Sequence, residues 1–418
     1  MARVLLTTIG SRGDVYPLLA LADAFSGRGH AVTFALEAGA AVLARTAGHS
    51  TVVLPGDPAC LDPYAATVFG GRPGLVSLSA SFRHYILPTL EAKVGVLRPL
   101  ARTADVVVAP PVHPAAAIAA EAEGTPWVAL NVSAAVASPD LDPVPYPLRL
   151  PDGPRRLVNR LLWSAGTLAL RRLADAPVNR VRRRHGLRPL RFVLAPAPSS
   201  ARLAAVAVSP AFVPRRTGWP PRLRVTGFCW WNPPLDPTVA RRVAGVAAAG
   251  RPLVAITGGA ASGAHFAFGR HFWRSSLEAV RRLRLAAVLV GAPPDVLAEP
   301  LPDEVVGVPE VPFAWLFPRC RLAVHHGGIG TTAHAIRAGI PSLIVPWAFD
   351  QAFNAAQVVR LGVGRTVAPR RYTPAAAVQA FEGLLRPPAG TPSLASLAAR
   401  LVREDGAAQL ACAVEELL

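Results

Sequence analysis

Short apolar runs alternate with amphipathic segments along the first half of the chain. Residues 3–8 and 30–36 read as strands, and the residues between them predict a helix over 16–27. Such apolar runs bounded by glycine or proline are typical of strands buried in a parallel sheet. A strand, a helix and a strand follow at 105–109, 115–123 and 126–130. The first half therefore predicts a doubly wound α/β domain.

The alternation stops at a proline- and tryptophan-rich stretch and then resumes. In the second half, strands are predicted at 252–257, 286–290, 321–325 and 341–345, with helices at 272–283 and 331–338. The expected fold is α/β, with two Rossmann-like doubly wound parallel-sheet domains that face each other across a cleft. The predicted boundaries are 1–225, a linker at 226–238, and 239–418. The last helix is expected to pack back on the N-terminal domain.

Composition is that of a globular protein without a membrane span. The chain has 418 residues, of which 51% are hydrophobic, and no run of 18 residues is free of charge and proline. The apolar stretch at 1–10 is too short for a signal peptide, so a cytoplasmic location is expected. The four cysteines are scattered singly, which predicts neither a zinc site nor a disulfide framework.

The net charge of +18 is concentrated in one region and is carried by arginine. Between Arg149 and Arg191 there are 12 arginines against two aspartates, interleaved with leucines. One interpretation is a pair of solvated helices whose arginine stems cover apolar surface. The other is an amphipathic basic face that contacts a membrane surface or an acidic acceptor. No nucleic-acid-binding motif accompanies the charge, so a nucleic-acid partner is not expected.

A glycine turn between a predicted strand and a predicted helix is the most specific feature of the chain. The stretch "RLAVHHGGIGTT" puts two histidines at the end of the strand, three glycines in the turn and two threonines at the start of the helix. Unpaired N–H groups and the positive end of a helix dipole then point to one place, which suits a phosphate. The candidate ligands are His325, His326, Gly327, Gly328, Gly330, Thr331 and Thr332.

A carboxylate and an amide follow the next predicted strand. Asp350 and Gln351 lie where ligands of parallel sheets bind, and such a pair can hold neighbouring sugar hydroxyls. By itself the pair is more often a helix cap. Near the start of the chain, "GSRGD" places Asp14 after a glycine turn, where a helix cap is again the simplest role.

Taken together, these stretches resemble the GT-B nucleotide-sugar glycosyltransferases of bacterial natural-product pathways, including the vancomycin-group and macrolide enzymes, and their sterol glucosyltransferase relatives. The resemblance rests on four ordered stretches in both halves, "GSRGDVYPLLALADAFSGRGHAVT", "TGFCWW", "VPFAWLFPRCRLAVHHGGIGTT" and "PWAFDQAFNAAQVVRLGVG". It implies inverting, metal-independent transfer of a hexose or deoxyhexose from a UDP- or dTDP-sugar to a hydroxyl of a small-molecule acceptor, which is a polyketide, peptide, sterol or saccharide.

The resemblance also implies roles for individual residues. Asp14 matches the acceptor-activating base, His325 and the turn at 327–332 match the donor-diphosphate site, and Asp350 and Gln351 match the donor-sugar contacts. Secondary candidates beside these are Ser11, Arg12, His113, Thr257, Gly258 and His326. No cofactor and no metal are implied.

Several alternatives stay open at this point. A sterol or lipid glucosyltransferase at a membrane surface would use the same site. An inactive glycosyltransferase-like partner protein would keep the fold without the reaction. A further alternative is an NAD-dependent oxidoreductase, because Gly10, Gly13 and Glu37 superficially resemble a dinucleotide fingerprint whose first glycine is missing. Ala333 and Glu310 stand where many relatives have ribose- and base-binding residues, so the sequence leaves the choice between UDP and dTDP open.

Overall fold

The computed structural model divides the chain into two compact units. Unit 1 combines the residues up to Trp231 with Glu404–Leu418, and unit 2 runs from Asn232 to Arg403. The structure describes residues 1–56, 79–137, 152–215, 219–248, 250–259, 269–298, 301–386 and 392–418. Arg149, at the start of the arginine-rich region, lies outside these ranges.

Unit 1 is built on a sheet of seven parallel strands. In chain order these are β1 (Arg3–Thr7), β2 (Ala31–Glu37), β3 (Ser50–Leu54), β4 (Val106–Ala109), β5 (Trp127–Asn131), β6 (Leu203–Val206) and β7 (Leu223–Val225). Their order across the sheet is β3-β2-β1-β4-β5-β6-β7. The central strands are buried along their whole length, as apolar runs covered by helices on both faces must be. The predicted doubly wound sheet is confirmed.

Five described helices connect these strands. They are α1 (Arg12–Ser26), α2 (Ala38–Thr46), α3 (Leu87–Thr103), α4 (Pro114–Ala122) and α5 (Asp152–Arg184), with a π-helical turn at Phe82–Ile86 and a 3₁₀ turn at Ala134–Ala137. The predicted start of α1 at residue 16 is wrong. The helix begins at Arg12 because Ser11 caps it, so Asp14 lies inside its first turn.

The arginine-rich region forms one helix, and the prediction of a pair of helices is wrong. Helix α5 has 33 residues and continues through Pro177. Leu157 and Leu161 are each 61% exposed, and Leu168 is 44% exposed. Among the described residues, no helix is long and apolar enough to cross a membrane.

Unit 2 contains six parallel strands. They are β8 (Leu253–Thr257), β9 (Ala286–Val290), β10 (Val305–Val308), β11 (Leu322–His325), β12 (Ser342–Ile344) and β13 (Gly364–Thr366). Their order is β10-β9-β8-β11-β12-β13. The sheet is again doubly wound, as predicted, and β8, β11 and β12 end side by side at its carboxyl edge.

Eight helices of unit 2 are described. They are α6 (Pro237–Ala247), α7 (Gly269–Arg282), α8 (Pro294–Leu297), α9 (Phe313–Leu316), α10 (Ile329–Arg337), α11 (Gln351–Arg360), α12 (Pro374–Leu385) and α13 (Pro392–Val402), with 3₁₀ turns at Phe317–Arg319 and Pro369–Arg371. Helix α10 begins two residues before the predicted start at Thr331. Gly330 is therefore helical and does not belong to the preceding turn.

The last helix, α14 (Gly406–Glu415), belongs to unit 1. Leu410 and Val414 are fully buried in the same core cluster as Leu18 and Leu21 of α1. At the end of α14, the Glu415 carboxylate accepts hydrogen bonds from Arg28 at 3.2 Å and lies 2.9 Å from His30. The compact C-terminal unit thus ends at Arg403.

The start of α14 is held by contact between two glycine backbones, which makes Gly406 a critical position for stability. A Cβ at Gly406 would lie 2.2 Å from the Gly227 carbonyl oxygen. We expect Gly406→Ala to lower the free energy of unfolding of unit 1 by about 1–3 kcal/mol, since such a clash forces the backbone apart. Thermal and denaturant unfolding would measure this. Gly95→Ala in α3 is the matched control, because a Cβ there meets nothing within 4 Å, and a loss of stability equal to that of Gly406→Ala would contradict the prediction.

Candidate functional site

The turn between β11 and α10 requires glycine. Gly327 has a φ of +97°, and a Cβ there would lie 2.7 Å from Ile344 Cγ2 and 3.1 Å from the Gln351 carbonyl oxygen. Both the dihedral angle and the close approach exclude a larger residue. The turn backbone therefore packs directly against β12 and α11, at the edge of the sheet where parallel sheets bind their ligands.

His325, the last residue of β11, carries a hydrogen-bond donor whose orientation is fixed by the protein. Its ring is fully buried, and its Nδ1 accepts a hydrogen bond from the Gly327 N–H at 3.1 Å. The proton of the neutral ring must then reside on Nε2, and this atom is buried without a partner among the described residues. Burial, followed by the neighbouring His326, holds the pKa of His325 well below its ordinary value. The side chain therefore offers a neutral N–H donor at neutral pH.

His326 fills the space between two glycines. A Cβ at Gly259 would lie 2.4 Å from its Cε1, and a Cβ at Gly328 would lie 2.5 Å from its Nε2. The ring stacks on Trp347 with centroids 5.9 Å apart, and burial lowers its pKa to about 4. The two glycine contacts and the Trp347 stack place this imidazole at the junction of β8, β11 and β12.

The first turn of α10 supplies backbone donors. The N–H groups at the start of a helix lack intrahelical partners, and a Cβ at Gly330 would meet nothing within 4 Å. The Thr332 hydroxyl, however, donates to the Gly328 carbonyl at 2.9 Å. That hydroxyl proton is therefore engaged within the protein, whereas no bond of this kind to a described residue engages Thr331.

Thr257 and Gly258 follow the adjacent strand β8. Thr257 pairs in register with His325 and is 4% exposed. Its hydroxyl oxygen accepts a hydrogen bond from the Gly259 N–H at 3.2 Å. This bond stabilises a second tight turn beside the first, so the structure brings Thr257 and Gly258 together with His325 and His326.

Gln351 and Asp350 begin α11. The Gln351 Oε1 accepts hydrogen bonds from the backbone N–H groups of Trp347 and Ala348 at 2.8 and 2.9 Å. Both lone pairs of that oxygen are thereby used, and the amide nitrogen is the part of Gln351 left to serve a ligand. Asp350 is half-buried and precedes the helix without capping it through its side chain. The helix-cap alternative is thus not observed for Asp350.

Asn354 links this carboxylate to the glycine turn, and the sequence analysis missed it. Its side-chain nitrogen donates to Asp350 Oδ2 at 3.0 Å and to the Gly327 carbonyl at 2.9 Å. Asn354 is completely buried. Asn354 lies three residues after Gln351 and four after Asp350, and residues at these spacings share one helix face. This spacing could have identified Asn354 as a neighbour of the predicted pair.

In unit 1, Asp14 closes a capping box at the start of α1. Its Oδ2 accepts a hydrogen bond from the Ser11 N–H at 2.8 Å, and the Ser11 Oγ accepts one from the Gly13 N–H at 3.3 Å. Gly10 has a φ of +123°, and a Cβ there would lie 2.3 Å from the same Oδ2. The cap therefore holds a half-buried carboxylate in one orientation just beyond the carboxyl end of β1, with Ser11 and Arg12 exposed beside it.

His113 is a buried member of the unit 1 core. Its Nε2 lies 3.2 Å from Thr7 Oγ1, and Thr7 donates its own proton to the Ala35 carbonyl at 2.7 Å. The imidazole must therefore donate to Thr7. Burial and the charge of Lys93 lower its pKa to about 3, so His113 stays neutral at physiological pH.

An unforeseen polar cluster lies beside His113. Lys93, the only lysine of the chain, is 2% exposed and forms an ion pair with Glu37. Tyr85 donates a hydrogen bond to the same carboxylate, and the Lys93 ammonium lies 5.0 Å from the Tyr85 ring centroid. The carboxylate that a dinucleotide fingerprint would use for ribose is therefore engaged inside the protein.

Within the ranges of the chain that the structure describes, no three or more histidine, cysteine, aspartate or glutamate side chains lie close enough together to hold a metal ion.

Comparison with known proteins connects both units to one enzyme family. Residues 4–137 match the glycosyltransferase family 28 N-terminal domain, and residues 286–417 match the C-terminal domain of the erythromycin biosynthesis protein CIII-like family. The chain is 31% identical over 392 residues to O-mycaminosyltylonolide 6-deoxyallosyltransferase of Streptomyces fradiae, covering 88% of this chain and 86% of that enzyme. It is 28% identical to a sterol 3-beta-glucosyltransferase of Arabidopsis thaliana, covering 88% of this chain but only 58% of the plant enzyme.

Solved structures share the fold. The calicheamicin glycosyltransferase CalG4 superposes with a TM-score of 0.71 at 20% identity, covering 100% of this chain and 98% of that one. The glycosyltransferase VinC in complex with dTDP gives a TM-score of 0.67 at 23% identity, covering 99% of this chain and 98% of that one. With the two domain matches and the full-length relative, these findings make the chain a member of the GT-B glycosyltransferases related to the macrolide and sterol enzymes.

Proposed function

We propose that the chain transfers a deoxyhexose from a dTDP-sugar to a hydroxyl of a polyketide-type acceptor, with inversion at the anomeric carbon. The proposal rests on the buried Nε2–H of His325, which has no partner among the described residues. His325 ends a strand that is followed by a glycine turn and the start of a helix. A donor of this kind complements a diphosphate oxygen. The 6-deoxyallosyltransferase activity of the Streptomyces relative and the dTDP bound to VinC favour this donor class.

In the proposed reaction, unit 2 holds the donor. The diphosphate accepts hydrogen bonds from His325 Nε2–H and from the first N–H groups of α10. The Asp350 carboxylate accepts from sugar hydroxyls and the Gln351 amide nitrogen donates to them. Asn354 supports this set, because it joins Asp350 to the Gly327 carbonyl.

Unit 1 supplies the base. The Asp14 carboxylate takes the proton of the acceptor hydroxyl while the acceptor oxygen bonds to the anomeric carbon. The bond from that carbon to the diphosphate oxygen breaks, and the diphosphate leaves with the electron pair. The positive end of α10 and the His325 donor stabilise the negative charge that grows on the leaving group.

Calorimetry with dTDP and UDP tests the donor assignment. We expect dTDP to bind several-fold more tightly than UDP, and GDP to bind weakest. A preference for UDP would contradict the dTDP assignment and favour the sterol-type alternative. If none of the three nucleotides bound, the proposed activity itself would be contradicted.

A second candidate function is glucosylation of a sterol or lipid at a membrane surface. It is favoured by α5, where Leu157, Leu161 and Leu168 share one exposed helix face and exposed arginines lie nearby at positions 160 and 172. Leucines that enter the lipid and arginines that attract anionic headgroups are the features of an interfacial helix. The sterol 3-beta-glucosyltransferase relative supports the same acceptor class.

Sedimentation with phosphatidylglycerol vesicles checks the second candidate. We expect the protein to pellet with the vesicles at low salt and to be released at high salt, since the headgroup attraction is screened. Leu157→Ser/Leu161→Ser should weaken the binding. Leu297→Ser is the control, because Leu297 is 40% exposed but lies in unit 2. Absence of binding at low salt would leave α5 as a solvated helix.

A further inference from the structure

A groove with a volume of about 710 Å³ opens in unit 1, away from the candidate site. Trp127, the first residue of β5, and Arg202, which directly precedes β6, both line it. These residues mark the amino edge of the sheet, whereas Asp14 follows the carboxyl end of β1. We call this feature the amino-edge groove.

One ion pair, which carries no net charge, forms part of the lining. Arg182 has a side chain 3% exposed and donates two hydrogen bonds to the Glu121 carboxylate, at 2.8 and 2.7 Å. Its Nε donates to the Arg188 carbonyl at 3.0 Å. The pair therefore holds the loop that carries Arg188 in place and contributes no net charge to the groove.

Two polar side-chain atoms of the lining have no hydrogen-bond partner within the described ranges. Trp127 is 2% exposed, and its Nε1 is buried without a partner among the described residues, as is the Ser200 Oγ. An indole N–H can only donate. Both atoms are closed to solvent in this structure, and leaving a buried donor such as the indole N–H unmatched is unfavourable.

Two further donors carry uncompensated charge. Arg188 and Arg202 are exposed, line the groove and form no ion pair with any residue in the described ranges. The Arg202 N–H donates to the Trp127 carbonyl at 2.9 Å, which places Arg202 next to the indole. The groove thus combines two free positive charges with two neutral donors.

We propose that the amino-edge groove binds an organic phosphate monoester, at a site separate from the proposed donor and acceptor sites. Two uncompensated guanidinium groups complement an oxyanion, and their double charge favours the dianionic phosphate over a monoanionic carboxylate. The groove is larger than a phosphate ion, and Pro126, Leu187 and the Trp127 ring offer apolar surface for the organic part. The phosphate pairs with Arg188 and Arg202, next to the Trp127 indole.

Indole N–H resonances in ¹⁵N-tryptophan-labelled protein provide a direct readout. The chain has 8 tryptophans, and the signal absent from Trp127→Phe identifies Trp127. The probes are phenyl phosphate, inorganic phosphate and benzoate at pH 7.5, where the phosphate monoester is mostly dianionic. Phenyl phosphate should shift the Trp127 signal saturably and at lower concentration than the other two probes.

Variants test the two arginines. Arg188→Ala/Arg202→Ala should abolish the saturable shift, whereas Arg180→Ala/Arg183→Ala removes two exposed arginines of α5 that do not line the groove and should preserve it. The proposal is overturned if phenyl phosphate leaves the Trp127 signal in place or shifts it equally in both double variants. Equal potency of benzoate would overturn the choice of a phosphate.

Discussion

Asp14→Asn should reduce kcat by about 10²- to 10⁴-fold, the contribution expected of a general base. The amide oxygen of asparagine can still accept the hydrogen bond that the Ser11 N–H donates to Asp14 Oδ2, so the cap and the side-chain position are retained. Only the ability to take a proton is lost. Since His325 and α10 belong to the other unit, the Kd for dTDP should stay nearly unchanged. Steady-state kinetics and calorimetry measure the two quantities.

Ser11→Ala separates capping from catalysis. It removes the Ser11 Oγ that accepts from the Gly13 N–H but keeps the Asp14 carboxylate. We expect a loss of about 0.5–2 kcal/mol in stability and a much smaller change in kcat than in Asp14→Asn. Near-normal turnover of Asp14→Asn would mean that Asp14 only caps α1.

His325→Ala should weaken dTDP binding and slow transfer together. Loss of one hydrogen bond to a charged oxygen costs about 1.5–3 kcal/mol, which corresponds to a Kd about 10- to 150-fold higher. The charge on the diphosphate increases in the transition state, so kcat should fall as well, by about 10²- to 10³-fold if His325 acts as an oxyanion-type donor. Calorimetry with dTDP and single-turnover kinetics separate the two effects.

Two variants control for simple disruption of the β11 end. His325→Gln keeps an N–H donor near the position of Nε2 and should lose less affinity than His325→Ala. His271→Ala removes an exposed histidine of unit 2 and should leave the Kd unchanged. If the alanine and glutamine variants both fold and bind dTDP as wild type does, the Nε2–H is not a phosphate contact.

The sheets of both units were predictable because parallel strands buried on both faces are continuous apolar runs. The glycine turn was predictable because glycine is required there. Gly327 and Gly328 lie where neighbouring atoms, including the His326 imidazole, leave no room for a Cβ. The first residues of the helices were predicted less accurately. The cap formed by Ser11 and Asp14 starts α1 at Arg12, four residues before the predicted start at Tyr16, because apolar periodicity locates the body of a helix better than its first residue.

The partners of the polar groups depended on tertiary contacts. The hydroxyl of Thr332 donates to Gly328, and the Gln351 oxygen accepts from two backbone N–H groups. Asn354 reaches Gly327 because α11 packs against a turn 27 residues earlier in the chain. Spacing along the sequence carries no information about contacts between residues far apart in the chain. The residue types at the site were therefore predictable, but the hydrogen-bond partner of each side chain was not.

The buried ion pair of Lys93 and Glu37 has a practical consequence for chemical labelling. Every other basic side chain of the 418-residue chain is an arginine or a histidine, and the single lysine ammonium is 2% exposed. Amine-acylating reagents therefore find no accessible lysine on the folded protein. Because Lys93 becomes reactive only when α3 separates from the sheet, its acylation reports the opening of unit 1 from a single, unambiguous position.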